Sequence, residues 1–164
     1  MNDLLILGVG NLLLTDEGIG VHAVNDLLQK YHIPDGIEVV DGGTAGMELL
    51  TFIARARQVI ILDAIKTGQK AGTIICLEDE QVPVFFRTKL SPHQLGLSDI
   101  LAAVKLTGEQ PEKVTIFGIE PHKIELGMEL SDIVAVQLDS FIDLIVKKVN
   151  GLGFKLSEKQ SPSA

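Results

Sequence analysis

Acidic and imidazole side chains in this sequence recur just after runs of apolar residues. Asp16 and Glu17 follow "LLILGVG", Asp41 closes "IEVV", and Asp63 closes "QVIIL". His93 stands in "SPHQLG", and Glu120 and His122 flank Pro121 after "KVTIFGI". Glu17, Asp63 and His93 would offer one metal two oxygens and one nitrogen. That donor set suits nickel, zinc, iron or cadmium better than magnesium, and an open coordination position would allow metal-assisted hydrolysis. Each of the three also has a structural use. Glu17 favours a helix N-terminus through the macrodipole, Asp63 can accept loop N–H groups, and His93 can bond a carbonyl from a first helical turn. Asp41 precedes Gly42, Gly43 and Thr44, where glycines let backbone approach a ligand. It could serve as a general base, as an acceptor for a bound peptide, or as the Asx turn of a strand-to-helix corner. Asp16 is a further candidate base, and His22, His32 and His122 are lesser ones.

Other chemistries fit less well. "GVGNLLLTDEGIGVH" begins like a phosphate cradle, but a dinucleotide fingerprint needs a third glycine where Leu13 stands. Two acids ahead of the helix would also repel phosphate. No G-x-S-x-G elbow or P-loop is present. Ser91 near His93 reads as a helix cap. The single cysteine, Cys76 in "TIICLE", reads as a small buried hydrophobe.

These residues need elements to carry them. Leu4–Gly10, Ile37–Asp41, Gln58–Ile65, "TIICLE" and Lys113–Pro121 read as five strands. Helices are expected over Gly18–Lys30 from its 3.6-residue apolar spacing, after Thr44 as cap, after Ser91 with Pro92 in the first turn, and across "LSDIVAVQLDSFIDLIVKKV". Strands alternating with helices imply an α/β fold of three layers, a mainly parallel, twisted five-stranded sheet with helices on both faces. "TIICLE" follows its predecessor after too short a turn for a parallel crossover, so it should be antiparallel. Residues 1–150 form a single α/β domain in this reading, and 151–164 a flexible C-terminal tail. Ligands of such sheets bind beyond the carboxyl ends of the strands, where the acids fall.

The net charge is −8 over 164 residues, so no basic footprint exists for nucleic acid. No apolar run reaches the roughly 18–20 residues of a membrane span. The N-terminus lacks a basic n-region and cleavage site. The expected location is the cytoplasm.

Taken together, "LGVGNLLLTDEGIGVH", "DGGTAGMELL", "LDAI" and "SPHQLGLSDIL" resemble, in order, the motifs of the hydrogenase maturation endopeptidases. The likeness is greatest to the branch processing uptake-type nickel–iron hydrogenases. It implies a five-stranded sheet flanked by helices and an endopeptidase often grouped as aspartic-type. Such an enzyme removes a C-terminal extension from the hydrogenase large-subunit precursor after nickel insertion, cutting after a basic residue. By the same likeness Glu17, Asp63 and His93 are the metal ligands, and Asp41 to Thr44 the stretch tied to substrate recognition and catalysis. The metal would be nickel, the client's own, although other divalent ions fit the donors. Whether it is only read, or acts as Lewis acid, or leaves the base role to Asp41 or Asp16, stays open at this point. So does a non-hydrolytic nickel-binding checkpoint for hydrogenase assembly.

Overall fold

Leu4, Leu5, Ile6 and Leu7 are all fully buried, which a strand achieves only when both its faces are covered. They belong to β1 (Asn2–Val9). The computed structural model describes residues 2–82, 92–108 and 111–160, with the side chains of 92–98 and 107 outside that description. After β1 come a 3-10 turn (Thr15–Gly18), α1 (Ile19–Lys30), β2 (Tyr31–His32), β3 (Ile37–Gly43), α2 (Leu49–Ala54), β4 (Ala56–Ala64) and β5 (Ile74–Glu78). The chain continues through α3 (Pro92–Thr107), β6 (Lys113–Ile119), α4 (Asp132–Ala135), α5 (Leu138–Gly151) and β7 (Ser157–Glu158).

The main sheet has the order β3-β1-β4-β6-β5. All its pairs are parallel except β5 with β6, as the short turn before "TIICLE" predicts. Alternation along the strands divides the core in two. Leu4, Ile6, Ile60 and Leu62 meet α1 and α5 through Val24, Leu27, Phe141 and Ile145. Leu5, Leu7, Val59 and Ile61 meet α2 and α3 through Ile53, Ile100 and Val104. Each fully buried Leu or Ile contributes about 1.5–3 kcal/mol, so both helical layers are fixed to the sheet by side chains of the same strands.

Four expectations change. Thr44 caps nothing. The chain turns at Gly42 to Ala45, the Glu48 carboxylate accepts the Gly46 N–H, and α2 starts only at Leu49. The last helix is two, because the backbone tightens at Gln137, whose N–H bonds Val134 three residues back. Residues 151–160 are not a frayed tail. Leu152, Phe154 and Leu156 alternate onto the α1–α5 core, and β7 pairs antiparallel with β2. Residues 161–164 lie outside the described ones. Cys76 is exposed, since β5 is the sheet's edge strand and turns that side chain outward.

Candidate active site at the carboxyl edge of the sheet

β1 leads through α1 to β3 on one side, and β4 continues to the other, so the strand order reverses between β1 and β4. A crevice forms at such a switch point, outside the carboxyl ends of the strands. Glu17 follows β1, and Asp63 is the penultimate residue of β4. The two acids therefore flank the same crevice.

Their approach is set by glycine. A Cβ on Gly20 would collide with the carbonyl oxygens of both Leu62 and Val9. The first turn of α1 thus lies directly on the backbone of β1 and β4, next to Asp63. Gly10, at φ +132°, leaves room for the carbonyl of Glu17, which a Cβ there would strike. Gly20 thus serves close helix-to-sheet contact and Gly10 close approach of the Glu17 turn. Glu17 is half-buried and Asp63 buried, with Asp63 Oδ1 accepting the Ala64 N–H at 2.8 Å.

Asp16 is fully buried and its carboxylate is occupied. Oδ2 accepts the N–H groups of His122 (2.9 Å) and Lys123 (2.8 Å) and the Ser131 hydroxyl (2.8 Å), while Oδ1 accepts the Ser131 N–H (2.8 Å). Thr15 completes the join. Its hydroxyl donates to the Lys123 carbonyl at 2.6 Å and accepts the Glu125 N–H at 3.1 Å, and its own N–H donates to the Gly127 carbonyl at 2.8 Å. Thr15 holds φ +48°, a left-handed conformation costly for a β-branched residue, which these bonds offset. All four of these donors converge on one fully buried carboxylate. In this structure Asp16 acts as a clamp, tying the turn before α1 to the segment after β6.

Glu120 is the second clamp. Its buried carboxylate accepts the Thr67 N–H and hydroxyl and the Gln69 N–H at 2.7–3.0 Å, fixing the loop after Asp63. Asp41, by contrast, is exposed. Pairing of β1 with β3 runs Gly8 to Asp41 and then Val9 to Gly43, so Gly42 is the extra residue of a bulge. Bulges of this kind re-aim neighbouring side chains. The Gly10 N–H donates to the Gly43 carbonyl at 2.9 Å, and Thr44 stands exposed beyond. β3 has β1 as its one sheet neighbour among the described strands.

His93 is in the first turn of α3, and its side chain lies outside the described residues. The helix end is near the start of β6, whose Lys113 pairs with Gln58 early in β4. A helix of sixteen residues, about 1.5 Å each, that ends near the start of β6 and runs antiparallel to it, as crossover helices do, would begin toward the carboxyl edge. Among the described residues no three His, Cys, Asp or Glu side chains gather at metal distance. By chemistry alone, Glu17 and Asp63 with His93 would offer two oxygens and one nitrogen, a donor set that suits a borderline divalent ion.

The remaining candidates go elsewhere. His32 is exposed on β2, His22 half-buried on α1, and Ser91 outside the described residues. Desolvation of the thiol beside the sheet, and the Glu78 carboxylate, push the Cys76 thiol up, away from reactivity. Ser131 caps α4 by accepting the Val134 N–H. Its bond to Asp16 spans 115 positions and leaves no local mark. The same holds for Lys123 and Gly127.

A family model described as hydrogenase maturation protease matches residues 21–148. The chain is 43% identical over 159 residues to the hydrogenase 2 maturation protease of Escherichia coli, covering 96% of this chain and 97% of that protein. The solved hydrogenase maturating endopeptidase HybD of E. coli superposes with a TM-score of 0.91, covering 96% and 98% of the two chains at 43% identity. The NiFe hydrogenase maturation protease HybD of Thermococcus kodakarensis has a TM-score of 0.75 at 27% identity, covering 89% and 98%.

Proposed function

Because the chain belongs to the hydrogenase maturation protease family, we propose that it cuts the C-terminal extension from a nickel–iron hydrogenase large-subunit precursor, once nickel is in place, in the cytoplasm. The nickel is part of the client, read by Glu17, Asp63 and His93. When held there it would supply positive charge that orients the client and polarises groups beside it. The observation that carries this reading is the glycine contact that lays the Glu17 turn on the end of β4, beside Asp63.

The chain's own residues then divide the work. Asp41, exposed on its bulge, takes a proton from the attacking water as oxygen bonds to the scissile carbonyl carbon. The C–N bond breaks as that proton passes to the leaving amine. This use of Asp41 would justify the aspartic-type grouping. Gly42 and Gly43 end β3, which is an edge strand among the described strands, and Thr44 follows them; the open backbone groups there suit an extended peptide. The family is one of proteases, so hydrolysis is preferred over a non-hydrolytic nickel checkpoint.

The test uses nickel-loaded precursor with wild type, Asp41→Asn and His93→Ala, scoring binding and cleavage separately. Asp41→Asn is expected to bind and not cut, with activity down at least about 100-fold. Loss of both in Asp41→Asn would move that residue to recognition. Full cleavage by His93→Ala would sink the metal-reading role.

A further inference from the structure

A cleft of about 620 Å³ opens beside the site, lined by Thr15, His122, Lys123, Met128, Glu129 and Ile133 among others. None of the chemistry above uses it. Its lining includes exposed apolar side chains, Met128 64% and Ile133 42% accessible, and Leu126, 84% accessible, directly precedes Gly127 of its wall. Leu13, 56% accessible, is joined to the Gly127 wall by its backbone: the Leu13 carbonyl accepts the Gly127 N–H at 2.9 Å and Leu14 bridges to Gly127. Apolar groups grouped on a rim mark an interaction surface more often than a solvated face does.

The cleft is continuous with the site. Thr15 lines it, two residues before Glu17, and the Asp16 carboxylate holds its walls at His122, Lys123 and Ser131. Its charge is acidic. Lys123 is paired with Glu125 at 3.1 Å, so Glu129 and Asp132 set the sign of the lining. We propose that this cleft docks the precursor through a segment carrying apolar side chains and a basic group, apart from the bond that is cut. The proposal rests on the function argued above and adds where, and by what chemistry, the client is held.

Docking of this kind lowers KM and leaves kcat alone. The test is steady-state cleavage of full-length, nickel-loaded precursor by Leu126→Asp, Met128→Asp and Glu129→Lys, with Leu106→Asp as control. Leu106 is 89% accessible at the end of α3 that faces the opposite edge of the sheet. The expected result is a KM raised about tenfold in the first two variants, a smaller rise with reduced salt dependence in Glu129→Lys, and kcat within about twofold throughout. Thermal unfolding should match wild type, since both apolar side chains are exposed. Unchanged KM in both apolar variants overturns the docking site. A rise there with no change in Glu129→Lys overturns the basic component. If sedimentation shows a wild-type dimer that Met128→Asp dissociates while KM holds, the patch is a self-contact and the proposal fails. If wild type itself neither binds nor cuts precursor, the function reading falls and the docking site with it, an outcome distinct because every variant then behaves alike.

Discussion

The Asp16 carboxylate takes four donors from residues 106–115 positions away, while Glu17 beside it is carried to the end of β4. A catalytic acid and a clamp predict different losses on substitution. Asp16→Ala would leave the His122, Lys123 and Ser131 donors without their acceptor, at about 3 kcal/mol in stability, read from urea unfolding. Activity should fall in step with the folded fraction. A variant as stable as wild type but inactive would return Asp16 to the chemistry. The sequence marks both residues as acids after a strand, and nothing local separates them. The partners that do so come from the segment after β6, through contacts that no period or spacing encodes. The place of Asp41 and Asp63 near the ends of β3 and β4, and of Glu17 in the turn after β1, can be read from the apolar runs that precede them. His93 is placed by its helix alone.

At the scale of elements, what could be read was what repeats. β1 and β4 declare themselves by unbroken apolar runs and α1 by its spacing, whereas α2 starts late because a loop turn intervenes. β5 was recognised as antiparallel from a short turn, and its edge position explains the exposed Cys76. That edge is tied to α5 by the ion pair of Glu78 with Lys148. The hydrogen bond from Lys148 holds the Glu78 carboxyl below its usual value of 4.5, and Glu78 holds the Lys148 ammonium above 10.5. A depressed acid stabilises above its unfolded value and loses that contribution as pH falls through the folded one. A raised base does so below its unfolded value and loses it as pH rises through the folded one. The pair therefore contributes between about 4.5 and 10.5. Its side chains are 40% and 20% exposed, so solvent screening keeps it to about 1 kcal/mol or less. Lys148→Met should lower stability by that amount at pH 7, with the difference shrinking steadily below pH 4.5, as followed by urea titrations across pH.

On the scale of the molecule, the sheet has a working edge and a holding edge. β2 and β7 pair at the amino edge, where α1 ends and β3 begins, far from the strand ends that carry the acids. A chain stopped after Gly151 would lose Leu152, Phe154 and the buried Leu156 from the core. It should be less stable by about 3 kcal/mol and yet cut precursor at the wild-type rate when folded. Comparison of urea midpoints with single-turnover cleavage checks both halves. The docked tail escaped the sequence reading because three alternating apolar residues in a polar stretch are too short a pattern to stand out. At the opposite edge, Gly20 rests on the carbonyls of Val9 and Leu62, main chain on main chain. Core volumes drift as related sequences diverge, and packed helices shift with them. A seat made without side chains is insulated from that drift, so the interior of this protein is free to change its residues while the gap between two acids keeps its width.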